Sequence, residues 1–178
     1  MGHLTRTIAL VGMMGAGKSS IGRRLAARMS VEFRDADHEI EVAAGCPIME
    51  IFERYGEPAF RDCERKVISR LLGEAPHVLA TGGGAFMDPG TRERIKESAV
   101  SVWIKAPVEV LLERLKRKDN RPLLKNGDPH EVLTRLLAQR EPVYALADIT
   151  LNSENGPHAE TVDRVIAMLS ERGVWGQA

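Results

Sequence analysis

No charge of either sign dominates this sequence. Of its 178 residues, 25 are Lys or Arg and 25 are Asp or Glu, so the formal net charge is +0. A chain that grips nucleic acid non-specifically carries a basic excess, so nucleic acid is not an expected partner. Cysteine is scarce. Cys46 and Cys63 are the two present, and they form no C-x-x-C pair. The histidines, His3, His38, His77, His130 and His158, show no H-x-x-x-H spacing. Together these absences exclude a structural zinc site, and two reduced thiols suit a cytoplasmic protein. No apolar run approaches the ~20 residues of a membrane span, so no membrane is expected. The apolar stretch 7–14 is short, is broken by Gly12 and runs into Gly15, Gly17 and Lys18, which excludes a signal peptide. Arg6 stands where an N-myristoylation pattern needs Ser or Thr. Internal repeats and low-complexity tracts are missing as well.

What is present is ordinary in composition, with 43% hydrophobic and 28% charged residues. That balance and length fit one soluble domain, residues 1–178. Short apolar runs alternate with longer helical patterns, which predicts an α/β domain with a parallel sheet. The strand candidates are 7–11, 31–33, 78–81, 101–104 and 149–151. Helical patterns cover 18–29, 38–44, 47–55, 58–72, 91–97, 107–116, 129–146 and 158–171. Pro47, Pro58, Pro107 and Pro129 occupy first helical turns, where a missing N–H is tolerated. Gly45, Gly56 and Gly73 follow helix ends, where a left-handed residue is expected.

The stretch Gly12-Met13-Met14-Gly15-Ala16-Gly17-Lys18-Ser19 matches G-x-x-x-x-G-K-[ST] between the first strand and the first helix. At average residue frequencies such a match arises by chance at ~4 × 10⁻⁵ per position, under ~1% over a chain of this length. The chemistry is specific. Successive backbone N–H groups and a helix N-terminus cradle phosphate, Lys18 neutralises β- and γ-phosphate charge, and the Ser19 hydroxyl serves Mg²⁺. Gly12, Gly15, Ala16, Gly17, Lys18, Ser19 and Ser20 are therefore the nucleotide-binding candidates. No N-K-x-D guanine reader occurs, so a switch GTPase is excluded. A small kinase acting on a small acceptor fits best.

Four further features suit the acceptor side. Asp35 and Asp37, in FRDAD, end the second predicted strand, at the sheet edge where open α/β folds bind ligands. One of them could serve Mg²⁺ and the other a substrate hydroxyl; both could equally cap the next helix. Gly82-Gly83-Gly84 follows the third strand and bares backbone to a ligand. Arg61, beside Phe60 and three residues before Glu64, and Arg140 are isolated arginines in semi-apolar settings, suited to a forked grip on a carboxylate. The charged stretch 116–128, KRKDNRPLLKNGD, reads as a mobile lid carrying Arg121 toward the transferring phosphoryl group.

With GMMGAGKS, FRDAD, GEPAFRDCE, ATGGGA, RPLL and QREPVY all in register, the sequence resembles the shikimate kinase family from about Ile8 to Leu169. The resemblance implies a P-loop, nucleoside-monophosphate-kinase-like three-layer sandwich. Its five-stranded parallel sheet has order 2-3-1-4-5 and is flanked by helices, with a mobile lid and a shikimate-binding helical region at about 35–62. It implies transfer of the ATP γ-phosphoryl group to the 3-hydroxyl of shikimate, in the route to chorismate and the aromatic amino acids. By motif position, Asp37 binds the shikimate hydroxyls and is the candidate base. Ser19 and Asp35 serve Mg²⁺, Asp35 through a water. Arg61 and Arg140 hold the carboxylate, Phe52 and Phe60 wall the ring, and Gly82, Gly83 and Gly84 give backbone contacts. Lys18 and Arg121 stabilise the phosphates, and Arg114 stacks on adenine. ATP and shikimate are then the small-molecule partners of a cytoplasmic monomer. The loop 152–157 has no arginine, where some family members place one against adenine. Residues MGHLTR read as a disordered tail. The competing readings are a kinase for another small hydroxy acid, such as gluconate, and a non-catalytic nucleotide-binding module.

Overall fold

Strands that are apolar on both faces must be covered on both faces, and that requirement organises the chain. A computed structural model describes residues 2–117, 127–153 and 158–177. The central sheet contains β2 (Thr7–Val11), β3 (Phe33–Asp35), β4 (Val78–Ala80), β5 (Ala99–Lys105) and β6 (Ile149–Asn152). They pair in parallel in the order β3-β4-β2-β5-β6. Counted along the chain these five strands have the expected order 2-3-1-4-5. Around the sheet lie α1 (Lys18–Met29), α2 (Ala36–Ala44), α3 (Ile48–Leu72), α4 (Pro89–Ser98), α5 (Val108–Lys116), α6 (Pro129–Tyr144) and α7 (His158–Glu171). Helix α1 packs on α7, α3 on α2 and α4, and α5 on α6. Every residue of β2 is buried, and Ile21, Leu25 and Met29 of α1 join Val165 and Leu169 of α7 in the same core. Among the described residues, no helix is long and apolar enough to cross a membrane.

Several boundaries differ from the sequence reading. The second parallel strand is 33–35 rather than 31–33. Ser30 adopts a left-handed conformation (φ 55°), and the Val31 N–H donates to Ala26 O (3.0 Å), so Val31 still belongs to the exit from α1. Asp35 thus ends the strand and Asp37 falls in the first turn of α2. The two helices expected at 47–55 and 58–72 form one element, α3, kinked at Gly56 (φ 80°, ψ 173°). Gly73 is right-handed (φ −87°) because its N–H closes a tight turn onto Arg70 O, so no left-handed cap is needed there. The segment expected to be a tail is ordered in part. Gly2–Leu4 (β1) pairs antiparallel with Trp175–Gln177 (β7), and the Trp175 ring packs against Gly2. A single turn of 3₁₀ helix at Ala85–Met87, unpredicted, follows the glycine run.

The edge strand β6 is held by more than its ladder. Asp148 Oδ2 accepts from the Ser101 N–H (2.8 Å) and hydroxyl (2.9 Å), and the Asp148 N–H donates back to Ser101 Oγ (2.9 Å). Asp148→Ala removes the acceptor for both Ser101 donors. It should lower unfolding stability by about 1–2 kcal/mol, read as a lower urea midpoint. An unchanged midpoint would show that the ladder alone fixes β6.

Candidate active site

The loop between β2 and α1 follows the strand directly, and Gly12 explains why it turns where it does. Its φ of 140° is closed to most L-residues, and a Cβ there would lie 2.7 Å from Ile104 O. Gly15 and Gly17 also have positive φ, and Gly17 caps α1 without a side chain. The loop therefore presents backbone N–H groups and the helix N-terminus to one concave space. Lys18 is buried and folds back on the loop, its ammonium donating to Gly12 O (2.7 Å) and Met13 O (2.9 Å). From α5, Arg114 crosses to the other flank and donates to Ala16 O (2.9 Å) and Gly15 O (3.3 Å). Burial holds this guanidinium below the usual arginine pKa, and the Glu113 carboxylate opposes that shift.

Asp35 joins the loop to the acceptor side. Its Oδ2 accepts from the Ser19 hydroxyl (2.7 Å) and its Oδ1 from the Asp37 N–H (3.1 Å). The capping role and the role beside Ser19 are thus played by two oxygens of one carboxylate. Asp37 is exposed at the start of α2, and its Oδ1 is 3.1 Å from where a Gly82 Cβ would stand.

The glycine turn is where the separate motifs meet. A Cβ on Gly83 would lie 3.3 Å from Met14 N and 3.4 Å from Arg140 Nη1. One on Gly84 would lie 2.6 Å from two Arg61 nitrogens. Arg61 donates to Glu64 Oε1 (2.8 Å) and to Glu57 Oε1 (3.3 Å), and its guanidinium lies 5.1 Å from the Phe60 ring centroid. Phe60 and Phe52 pack with centroids 4.7 Å apart. Arg140, on α6, approaches Met13 Sδ at 3.8 Å.

A cleft of about 440 Å³ opens between these parts. Of the candidates named from the sequence, Gly15, Gly17, Lys18, Ser19, Ser20, Asp35, Asp37, Gly82, Gly83 and Arg114 line it. Gly12 and Ala16 are buried and are not part of its lining. Phe52, Phe60, Arg61, Gly84 and Arg140 are outside its lining; Arg61 and Arg140 approach the glycine turn, the Phe60 ring lies next to Arg61, and the Phe52 ring lies next to Phe60. Arg121 and most of the proposed lid lie outside the described residues, as does 154–157 of the arginine-free loop. Three lining residues escaped the sequence reading. Met14 belongs to the glycine-rich loop motif, and Arg117, which pairs with Glu113 (2.8 Å), falls in the charged stretch 116–128. Thr81 opens the glycine run of the ATGGGA motif but is not among the site candidates; it is buried and donates to Leu10 O (2.9 Å). The burial of Glu64 was also unforeseen, since it reads as an ordinary i+3 helix partner of Arg61.

A family profile described as "Shikimate kinase" matches residues 14–170. The chain belongs to the shikimate kinase family. It is 58% identical over 167 residues to a shikimate kinase from Nitrobacter winogradskyi, covering 94% of this chain and 78% of that protein. Among solved structures it is similar to a shikimate kinase from Acinetobacter baumannii in complex with shikimate. The TM-score there is 0.90, with 39% identity and 94% of each chain covered. A gluconokinase from Sinorhizobium meliloti shares the fold alone, at 19% identity and a TM-score of 0.61, over 96% of this chain and 94% of that one.

As a shikimate kinase family member, the chain carries a titrating group that its motifs do not advertise. Burial pushes the Glu64 carboxyl up from its ordinary value of 4.5. The Arg61 guanidinium opposes this, and the charges of Asp37 and Asp88 add to it. The folded state therefore keeps this proton at pH values where the unfolded chain has lost it. Stability should fall as pH rises from about 4.5 through the raised value. Glu64→Gln, neutral throughout, should flatten that part of the profile in urea titrations. Equal slopes in both proteins would show that Glu64 ionises alike folded and unfolded.

Proposed function

We propose that this chain transfers the γ-phosphoryl group of ATP to the 3-hydroxyl of shikimate, giving shikimate 3-phosphate and ADP on the route to chorismate. The observation that carries the reading is the convergence of Arg61, Arg140 and Asp37 on one glycine turn, which also abuts the phosphate-binding loop at Met14. Two forked guanidiniums suit a planar carboxylate, and a carboxylate near the loop suits a hydroxyl acceptor. A decayed nucleotide-binding module has no reason to keep that set together.

In this reading the loop N–H groups and Lys18 hold the β- and γ-phosphates, and Arg114 covers the base. Arg121 adds charge at the transferring group. Gly82, Gly83 and Gly84 give the acceptor backbone contacts, with Phe52 and Phe60 against its apolar side. Asp37 orients the acceptor hydroxyl and takes its proton. Charge on the phosphoryl oxygens is met by groups already in place, which is the main source of rate in phosphoryl transfer. The Ser19 hydroxyl and Asp35 carboxylate, 2.7 Å apart, fit Mg²⁺, which keeps several waters and needs few protein oxygens beside the phosphates. When bound, the ion neutralises phosphate charge. Among the described residues no cluster of three or more His, Cys, Asp or Glu is arranged for a metal. We read the protein as a cytoplasmic monomer, its two cysteines being unpaired.

An ADP-release assay with Mg·ATP across shikimate, quinate and gluconate tests this directly. Turnover should appear with shikimate; turnover with gluconate and none with shikimate would overturn the reading. Asp37→Asn keeps the shape and loses the proton acceptor, so kcat should fall by about 10²-fold or more while shikimate KM changes less. Wild-type kcat in that variant would leave Asp37 a positioning role alone.

A further inference from the structure

The QREPVY run ends in a residue that the phosphoryl-transfer reading does not use. Tyr144 is fully buried in the last turn of α6, four residues after Arg140. Its ring stacks on Trp103 with centroids 5.8 Å apart and planes 29° apart. Its hydroxyl donates to the carbonyl of Gly83, and the Arg140 guanidinium also interacts with the phenol. Burial raises the phenol's pKa, against the pull of the Arg140 and Arg61 charges, so the group remains a donor.

The position of that bond is informative. Gly83 is the turn residue wedged between Met14 N of the phosphate-binding loop and Arg140. Trp103, under the tyrosine ring, lies 3.4 Å from where a Gly12 Cβ would stand, so the stacked pair bears on the loop as well. In a trans peptide the carbonyl and the following N–H point opposite ways, and the described chain has no cis bond. Holding the Gly83 carbonyl toward Tyr144 therefore turns the Gly84 N–H away from it. Glycine has no side chain to set this orientation, and a bond from a fully buried, stacked phenol supplies what the turn lacks.

We infer that Tyr144 is a positioning residue for acceptor recognition, its hydroxyl fixing the Gly83–Gly84 peptide and Arg140 in the orientation that receives the acceptor. The inference rests on shikimate being that acceptor. Its hydroxyl is engaged by the Gly83 carbonyl and its ring is buried on Trp103, so it acts through the turn and not on the acceptor itself. Its effect should appear in acceptor binding, not in the chemical step.

Steady-state kinetics of wild type and Tyr144→Phe, with ATP Kd and thermal melting of both, test the inference. The phenylalanine keeps the ring and its stack on Trp103 and removes one donor. Shikimate KM should rise about fivefold to tenfold, the loss of one hydrogen bond's net contribution. Both kcat and ATP Kd should stay within about twofold of wild type. An unchanged shikimate KM overturns the inference while leaving the proposed reaction intact. Parallel losses in KM, kcat and ATP binding also overturn it, since they mark a packing residue. If the wild type itself leaves shikimate untouched, the acceptor reading fails first and the inference fails with it.

Discussion

Close approach to a backbone without side chains is the constraint on which the site depends. Gly82, Gly83 and Gly84 leave β4 at the edge of the sheet where the phosphate-binding loop also emerges. A methyl on any of the three would meet an acceptor-side or loop atom at 2.6–3.4 Å. Asp37 from α2, Arg61 from α3 and Arg140 from α6 are distant in sequence. They share a site because this turn lets all three helices crowd the end of β4.

The charges in that crowded space are balanced locally. Glu64 is the buried counter-ion of Arg61, at 2.8 Å and with a 4% exposed side chain, whereas Glu57 touches the same guanidinium from solvent. Breaking a buried pair leaves an uncompensated charge, so Glu64 constrains Arg61 more than its exposed neighbour does. On the nucleotide side, Lys18 and Arg114 are tied to loop carbonyls. Both side chains are thereby held against the loop, with less freedom left to lose on ordering than solvated chains have.

The phosphate-binding loop was fully legible in the sequence because its residues are contiguous and each answers a separate demand of phosphate binding. The strand order was legible through the family resemblance, and the five strands through their apolar runs. Boundaries failed where local geometry overrode pattern. Val31 looks like a strand residue, but its N–H is taken by the turn leaving α1. Gly73 looks like a left-handed cap, but a tighter turn supplies its bond. The pairing of Gly2–Leu4 with Trp175–Gln177 had no local signal at all. Interactions that join distant positions were the hardest to read. Asp148 and Ser101 are 47 residues apart, Tyr144 and Gly83 are 61 apart, and nothing in either local sequence announces its partner. The acceptor motifs were each visible, but their meeting at one turn is a property of the fold.

The acceptor side depends on that turn being bare. Gly84→Ala, titrated calorimetrically with shikimate and separately with ATP, measures this most directly. A Cβ there would lie 2.6 Å from the Arg61 guanidinium, which has Glu57 and Glu64 on its other sides. Shikimate affinity should fall at least about tenfold, the equivalent of 1.4 kcal/mol. ATP affinity should hold, because Gly84 does not line the cleft that contains the phosphate-binding loop. Wild-type shikimate affinity in a folded Gly84→Ala protein would contradict the claim that close approach at this turn builds the acceptor site.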